Sequence, residues 1–427
     1  MGKNLLLCSA VSIFVCCTFT FAQTPVEKHG RLQVQGNRIV GEHGNPVQLR
    51  GMSLFWPIRN WGGQHFFTDN AINDLVDNWK VDLVRAPIAA RTMDGLVGYM
   101  VDRDRETQLG LMRTVVNAAI RRGIYVIVDF HAYDQTGETD EIIQGAKEFF
   151  TTVATEYGHH PNIIYETLNE PIGMGNLHQY WADDIKPYHE QVIAAIRPID
   201  PHNLIVAGTP TWSQRVDIAA ANPIDDKNVA YSLHFYAASH GNTQRGYAQN
   251  ALDSGAAIFV TEWGTVTHTG DGAINLSSTR TWLAFMDQNQ ISWANWSLIN
   301  NFRSSSALVT SALPHGNWGD EMLTASGKFI RDTLRAYHET VSVANKTIQS
   351  NNSSIGLVTT PKGLTLSLPR EHGFRSYELF RIDGRIARRG SVGGVGELEL
   401  SDLSKGVWFV RLVGKREAEV VSAVIGR

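Results

Sequence analysis

Cysteine is almost absent from this sequence. Of 427 residues only Cys8, Cys16 and Cys17 are cysteines, and all three lie at the N-terminus. Everything after residue 17 therefore forms no disulfide, carries no thiol nucleophile and holds no cysteine-bound metal. A chain of this length must then be stabilised by the packing of a large apolar core.

Charge of either sign is also scarce. Charged residues make up 19% of the chain, and the formal net charge is -4. Proteins that bind nucleic acid need basic surfaces to neutralise phosphates, so the composition argues against a nucleic-acid partner. A neutral or weakly charged substrate fits better.

Long apolar runs are confined to the beginning of the chain. Lys3 precedes an apolar stretch over residues 5–21, and Ala22 supplies a small residue before a possible cleavage point. These features predict a secretory signal peptide over residues 1–22, and hence a protein that is secreted or displayed at the cell surface. No later stretch is long and apolar enough to span a bilayer.

The body of the chain alternates between short apolar runs and longer segments of helical period. The predicted strands are 47–53, 83–88, 125–131, 163–170, 204–212, 229–236, 257–264 and 291–298. Helices are predicted at 69–79, 107–122, 140–157, 177–197, 216–221, 243–253, 276–289 and 326–338. This alternation predicts an α/β fold, a closed (β/α)8 TIM barrel. A doubly wound open sheet is the alternative, but no glycine-rich phosphate turn follows an early strand.

Composition divides the chain into four parts. After the signal peptide, residues 23–338 would form the barrel, with a hairpin around residues 41–45 covering its floor. Residues 339–356 are rich in Ser, Asn and Thr, which is typical of a linker. Residues 357–427 show short alternating runs between glycine-rich turns, which predicts a small C-terminal β-sandwich.

Two glutamates stand at the ends of predicted strands. Glu170 ends the fourth strand and Glu262 ends the seventh, and active sites of such barrels lie at these strand ends. Each glutamate alone could cap a strand or pair with an arginine. Together they predict a pair of carboxylates facing across a cleft, which is the machinery of glycoside hydrolysis.

Other strand ends carry residues suited to binding a sugar. Each has an ordinary explanation as a core or ion-pair residue, but their coincidence on one rim favours a site. The supporting residues predicted here are Arg85, His131, Asn169, His234, Tyr236 and Trp296. Tryptophans in the predicted rim loops are Trp56, Trp61, Trp181, Trp212 and Trp318, of which Trp181 and Trp212 are predicted to bind substrate.

The order of these motifs resembles glycoside hydrolase family 5, and especially its bacterial endoglucanases. The motifs are Val-Arg-Ala-Pro at 84–87, Asp-Phe-His-Ala at 129–132, Leu-Asn-Glu-Pro at 168–171, His-Phe-Tyr-Ala at 234–237 and Thr-Glu-Trp-Gly at 261–264. The resemblance covers residues 31–338. It implies that Glu170 is the acid/base and Glu262 the nucleophile of a retaining reaction that needs no metal or cofactor. The chain departs from the resemblance at Phe55, where many relatives have histidine, and at Asn301 and Arg303, where relatives often have Lys and Glu.

The C-terminal part has a resemblance of its own. Residues 377–385 and 403–412 are similar to sorting domains of the type IX export route, which implies a partner in the outer-membrane secretion machinery. A carbohydrate-binding module is the competing interpretation, and it predicts a row of exposed aromatic side chains.

The leading hypothesis is a secreted, monomeric endo-β-1,4-glucanase that acts on a β-glucan polysaccharide. A β-mannanase or xyloglucanase of the same family is the nearest alternative. A glucan-binding protein without catalysis would have lost a carboxylate, and a metal-dependent deacetylase or peptidase is disfavoured because the histidines lack a His-x-x-x-His spacing.

Overall fold

The computed structural model contains a closed barrel and, C-terminal to it, separate small antiparallel sheets of two, three and four strands. It describes residues 23–92, 94–132, 139–173, 175–344, 349–350, 353–354, 356–360, 363–368, 374–381, 386–392, 397–403, 406–414 and 418–425. The predicted signal peptide, residues 1–22, lies outside the described residues. Among the helices that are described, none has the length and apolar character needed to cross a membrane.

Eight parallel strands form the barrel, as predicted. They are β1 Arg50–Leu54, β2 Leu83–Ala89, β3 Tyr125–His131, β4 Ile163–Glu166, β5 Leu204–Ala207, β6 Val229–Tyr236, β7 Ile258–Gly264 and β8 Ser292–Leu298. Each strand pairs with the next along the chain, and β8 pairs with β1 to close the ring. The open-sheet alternative is therefore wrong. β4 and β5 are shorter than predicted, because the residues after them leave the ladder to form the rim.

Helices cover the outside of the barrel. The α-helices of this part are Pro25–His29, Asp69–Asp74, Asp102–Arg122, Asp140–Tyr157, Leu177–Tyr180, Lys186–Ile196, Val216–Ala221, Asn242–Asp253, Leu276–Asn289 and Ala325–Ala344. Pro210–Ser213 is a turn in which Thr211, Trp212 and Ser213 have positive φ. Leu75–Trp79 and Trp181–Ile185 are π-helical, and Arg59–Trp61, Gly63–Phe66 and Asp320–Met322 are 3-10 turns. The last α-helix continues to Ala344 and so occupies the start of the predicted linker.

Inside the barrel, an apolar floor lies beneath a polar layer. Residues two apart on a strand point to the same side, so a charged or hydroxyl side chain stands above an apolar one on four strands. The pairs are Leu83 and Arg85, Ile127 and Asp129, Ile164 and Glu166, and Phe259 and Thr261. The polar members lie toward the carboxyl ends of their strands, where the site is built.

An N-terminal hairpin covers the barrel floor. Leu32, Ile39, Val47 and Leu49 join the apolar cluster of the barrel interior, as predicted. The turn at 41–45 returns the chain so that the Val47 N–H donates to the Ile39 carbonyl at 2.9 Å. The sequence did not predict the strand pair before it, Gln33–Gln35 with Arg38–Val40.

The C-terminal sheets share one core. A three-stranded sheet contains Gly356–Thr360, Gly363–Ser367 and Glu397–Ser401, and a four-stranded sheet contains Phe374–Arg381, Ile386–Ser391, Gly406–Gly414 and Ala418–Ile425. Buried side chains of both sheets, including Leu366, Leu400, Trp408 and Val410, form a single cluster. This arrangement is the predicted β-sandwich.

Candidate active site

The two predicted carboxylates meet at the carboxyl end of the barrel. Glu262 lies in β7, and Glu170 lies in the segment that follows β4. A carboxylate oxygen of each, together with a ring nitrogen of His234, all lie within 4.8 Å of one another. Glu262 is 5% exposed, and the Glu170 side chain is 12% exposed, so both reach the cleft from a largely buried position.

Arg85 pairs with Glu262 and with two further buried carboxylates. Its guanidinium donates to Glu262 at 3.1 Å, to Glu166 at 2.6 Å and to Asp129 at 2.7 Å, and also to the Asn169 amide oxygen at 2.7 Å. Burial alone would lower the pKa of Arg85, but the three carboxylates outweigh it and raise that pKa above its usual range. Arg85 is therefore a permanent cation at the centre of the site.

Glu262 is held by donors on both of its oxygens. The Tyr236 hydroxyl donates to Oε1 at 2.6 Å, and Arg85 donates to Oε2 at 3.1 Å. Burial and the nearby Glu262 raise the pKa of Tyr236 well above its usual range, so the phenol keeps the proton that it donates. The carboxylate is thus fixed in orientation beside the cleft.

Glu170 has a different environment. Its Oε1 lies 2.8 Å from His234 Nδ1. Burial raises the pKa of Glu170, the hydrogen bond from His234 opposes that shift, and the charge of Glu262 adds to it, so the pKa lies above its ordinary value. A carboxyl group that holds its proton is suited to act as a general acid.

His234 connects Glu170 to a second buried carboxylate. Its Nε2 lies 2.9 Å from the Thr261 hydroxyl, which donates to Glu166 at 2.5 Å. Burial would lower the pKa of His234, but Glu166 and Glu170 raise it to about 9. Burial also raises the pKa of Glu166, yet Arg85 and His234 outweigh it and lower that pKa to about 2.

His131 and Trp296 form an apolar wall next to the carboxylates. The two rings stack with centroids 5.7 Å apart and planes 4° apart, and His131 Nδ1 lies 2.7 Å from Asp129. Burial, and then Arg85, lower the pKa of His131 to about 3, so its ring is neutral. The ring of Phe55 lies 5.3 Å from that of Trp296 and extends the wall.

The rim tryptophans divide into two groups. Trp212 is 42% exposed, and its backbone N–H donates to the carbonyl of Pro171, the residue after Glu170, at 2.9 Å. Trp61 is also exposed, and the ring of the half-buried Trp56 lies 5.0 Å from that of His131.

Trp181 does not reach the cleft, so the prediction that it binds substrate was wrong. Its side chain is completely buried against Tyr231, and its indole N–H donates to the Asn222 carbonyl at 2.8 Å. Trp318 is buried too, with its indole N–H bonded to the Leu313 carbonyl. Neither position can be distinguished from an exposed rim position by the sequence, because both lie outside the strands.

Three polar residues of the site were not predicted: Asp129, Glu166 and Thr261. Asp129 and Glu166 bind the arginine that was predicted, and Thr261 connects Glu166 to His234. The signal that could have found them is the period of two, since each stands two positions after an apolar residue of the barrel interior.

One group of possible metal ligands occurs among the described residues, and it consists of the two predicted carboxylates and the histidine between them: Glu170, Glu262 and His234. His234 Nδ1 already contacts Glu170, and the permanent cation Arg85 lies against Glu262. Both features oppose the binding of a metal cation there.

Comparison with known proteins gives a consistent result. Residues 40–302 match the family model for cellulase, glycosyl hydrolase family 5. Endoglucanase Z of Dickeya dadantii is 38% identical over 336 residues, which are 78% of this chain and 72% of that protein. Endoglucanase A of Evansella cellulosilytica is 44% identical over 292 residues, 68% of this chain and 57% of that protein.

Solved structures are also similar to this chain in both sequence and fold. A structure from Cytophaga hutchinsonii is 43% identical with a TM-score of 0.69, and it covers 75% of this chain and 100% of its own. The catalytic domain of Thermobifida fusca endoglucanase Cel5A is 35% identical with a TM-score of 0.66, and it covers 73% of this chain and 100% of its own.

Proposed function

We propose that this chain, which belongs to the cellulase family, glycosyl hydrolase family 5, is a secreted enzyme. It cleaves internal β-1,4 bonds of cellulose and related β-glucans, and the reaction retains the anomeric configuration. Family membership makes the chain a glycoside hydrolase of the endoglucanase type. The stereochemistry, the role of each residue and the export of the protein are the proposed parts.

The observation that carries the mechanism is the approach of Glu170 and Glu262 to within 4.8 Å between carboxylate oxygens. Retaining glycosidases hold their two carboxyl groups about 5–5.5 Å apart, whereas inverting enzymes separate them by about 6.5–9.5 Å to admit a water. The short separation supports a direct attack on the sugar by one carboxylate.

The first step would break the glycosidic bond. Glu170 donates its proton to the glycosidic oxygen while a Glu262 oxygen bonds to the anomeric carbon, and the leaving sugar departs as an alcohol. In the second step, Glu170 removes a proton from water, the water oxygen bonds to the anomeric carbon, and Glu262 is released. Because the Asn169 amide oxygen accepts a hydrogen bond from Arg85, the Asn169 NH2 group is oriented to donate to the sugar 2-hydroxyl.

Glucan is favoured over mannan as the substrate, because the relatives reported above are named endoglucanases. Initial rates on carboxymethylcellulose, lichenan, glucomannan and xyloglucan would decide between the candidates.

For export, we propose cleavage after residue 22 and recognition of the C-terminal β-sandwich by the secretion machinery. In that sandwich Trp408 is buried, and Phe374 and Tyr377 pack against its core, which disfavours a carbohydrate-binding face.

Replacement of each carboxylate by a small residue tests the assigned roles. Glu262→Gly should lower kcat on an aryl β-cellobioside by at least about 10⁴-fold, and azide should restore turnover by filling the space of the lost carboxylate. The product should be the α-glycosyl azide, since azide then attacks from the nucleophile's face. Glu170→Ala should instead give the β-glycosyl azide. NMR identifies the anomer of each product. If Glu262→Gly gave the β-glycosyl azide and Glu170→Ala the α-glycosyl azide, the two roles would be reversed.

A further inference from the structure

Tyr236 stands at the end of β6, where the strand has a neighbouring strand on one side only. On that side β7 continues, and the Ala237 N–H donates to the Gly264 carbonyl at 2.8 Å. On the other side β5 ends at Ala207, which pairs with Tyr231, so β5 does not extend as far as Tyr236. Because successive residues of a strand bond to opposite neighbours, the backbone groups of Tyr236 face the side that β5 has left.

His240 supplies both partners that the strand lacks. The Tyr236 N–H donates to His240 Nδ1 at 2.9 Å, and the Tyr236 carbonyl accepts from the His240 N–H at 2.8 Å. A backbone N–H can only donate, so Nδ1 must accept, and the ring proton lies on Nε2. Burial, and then the neighbouring His268, lower the pKa of His240 to about 4, so the ring is neutral at neutral pH and keeps this lone pair.

His240 is itself fixed to the helix that follows β7. Its carbonyl accepts from the Trp282 indole N–H at 3.0 Å. Trp282 lies in the helix Leu276–Asn289, is completely buried, and stacks on Phe235 with ring centroids 3.8 Å apart. The support of Tyr236 therefore extends into the apolar core between the barrel and this helix.

The other end of Tyr236 lies at the predicted nucleophile. The tyrosine ring packs against Gly264, where a Cβ would lie 2.5 Å from Tyr236 Cδ1. Its hydroxyl donates to Glu262 Oε1 at 2.6 Å. The ring is rigid, so a shift of the Tyr236 backbone would move the hydroxyl and the carboxylate oxygen that it holds.

We infer that His240 is a positioning residue of the reaction, which holds the backbone of Tyr236 and thereby orients Glu262 for attack on the anomeric carbon. The inference rests on the proposed function and adds to it a residue outside the barrel strands. The effect of His240 should appear in the step in which Glu262 attacks. It should disappear when the Tyr236 hydroxyl is absent, or when another group attacks in place of Glu262.

Two substitutions of His240 separate its hydrogen bond from its bulk. His240→Ala removes the acceptor, whereas in His240→Asn the side-chain oxygen takes the place of Nδ1. On an aryl β-cellobioside, kcat/KM reports the first step, and it should fall about tenfold in His240→Ala through misplacement of the nucleophile. His240→Asn should restore kcat/KM to within about threefold of the wild type, since one hydrogen bond is kept.

A double-mutant cycle with Tyr236→Phe tests whether His240 acts through the tyrosine. Once the hydroxyl is gone, adding His240→Ala should lower kcat/KM by less than about twofold, because residues that act as one unit are not additive. A full tenfold loss in both backgrounds would overturn the inference, since His240 would then act independently of the hydroxyl.

Azide rescue of Glu262→Gly gives a second test. Azide attacks in place of the carboxylate, so adding His240→Ala should leave the azide-dependent rate within about twofold of that of Glu262→Gly alone. A tenfold fall of the rescued rate would show that His240 supports the fold or the substrate, and not the orientation of Glu262.

His268→Ala is the matched control. His268 is an exposed histidine next to His240, and its Nδ1 lies 3.1 Å from the Ser239 hydroxyl, so its loss leaves both hydrogen bonds of Tyr236 to His240 in place. Its kcat/KM should stay within about twofold of the wild type. Wild-type kcat/KM in His240→Ala would overturn the inference while the enzyme stays active. A wild-type protein inactive on the aryl cellobioside and on soluble β-glucan would instead refute the proposed function.

Discussion

Arg85 makes more side-chain hydrogen bonds within the site than either Glu170 or Glu262. Its side chain is fully buried, as are Asp129 and Glu166, so each of these charges has lost its hydration. Charges in that position persist only when they are paired, and removing one partner typically costs about 3–5 kcal/mol. The cation also places Glu262 and Asn169 relative to each other. Positioning of the reacting groups and stability of the barrel therefore depend on the same side chain.

His234 should make stability depend on pH in the neutral and alkaline range. Its folded pKa of about 9 lies above the ordinary 6.5, so the stability it contributes is complete below pH 6.5 and disappears as pH rises through 9. The advantage of the wild type over His234→Asn should shrink across this interval by up to about 3 kcal/mol. Urea unfolding at several pH values measures it.

His189→Asn provides the comparison for that experiment. His189 is equally buried, but burial lowers its pKa to about 4, so its contribution changes only below pH 6.5. The difference between wild type and this variant should be constant from pH 6.5 to 9. A constant difference for His234→Asn as well would show that His234 is neutral in the folded protein.

The segment after β4 is supported by the turn after β5. The Thr211 and Trp212 N–H groups donate to the carbonyls of Ile172 and Pro171, and the Ser213 hydroxyl donates to the Asn169 carbonyl at 2.8 Å. Thr211, Trp212 and Ser213 all have positive φ, which costs about 1–2 kcal/mol for each residue. These hydrogen bonds compensate for the unfavourable backbone and hold Glu170 in the cleft.

Gly208 allows these two segments to approach each other. A Cβ at this position would lie 2.3 Å from the Leu168 carbonyl oxygen and 2.9 Å from Pro171 Cδ. Gly208→Ala should therefore lower stability by about 1–3 kcal/mol and, by displacing Glu170, lower kcat by at least about tenfold. Thermal unfolding and initial rates on a soluble β-glucan measure both effects.

Gly246→Ala is the matched substitution for this comparison. Gly246 is exposed in the helix Asn242–Asp253, and a Cβ there has nothing within 4 Å. Alanine should raise stability by about 0.5–1 kcal/mol through helix propensity and leave kcat unchanged. If Gly208→Ala kept wild-type kcat, the turn would have no part in placing Glu170.

The apolar clusters of the described residues divide between the barrel and the C-terminal sheets, and none of them contains residues of both. The buried residues that form the barrel core extend to Leu334, and those of the β-sandwich begin at Leu364. Each core is complete within its own segment, which is the usual condition for separate folding. All the site residues lie in the barrel, so the sandwich is not needed for the chemistry.

Ending the chain at Ala344 tests this division. The shortened protein should keep kcat/KM on a soluble β-glucan within about twofold, because the core and the site stay intact. Calorimetry of the full chain should show two unfolding transitions, of which the shortened protein keeps one. A shortened protein that no longer unfolds cooperatively would show that the barrel depends on the C-terminal part.

The local sequence pattern was sufficient to predict much of the fold of this protein. Short apolar runs alternating with segments of period 3.6 predicted the closed barrel, because strands buried on both faces are apolar throughout and the helices that cover them bury one face. The rule that barrel sites lie at strand ends then located Glu170, Glu262 and Arg85, since a strand's direction determines which end its last residues occupy.

Packing between distant segments settled what those patterns left open. The burial of Trp181, the exposure of Trp212 and the contacts of Phe302 with Trp61 depend on loops whose neighbours come from other parts of the chain. Likewise, Glu166 becomes part of the site only because Arg85, 81 positions away, meets it in the barrel. Periodicity describes one segment at a time, whereas burial and ion pairing are properties of the assembled neighbours.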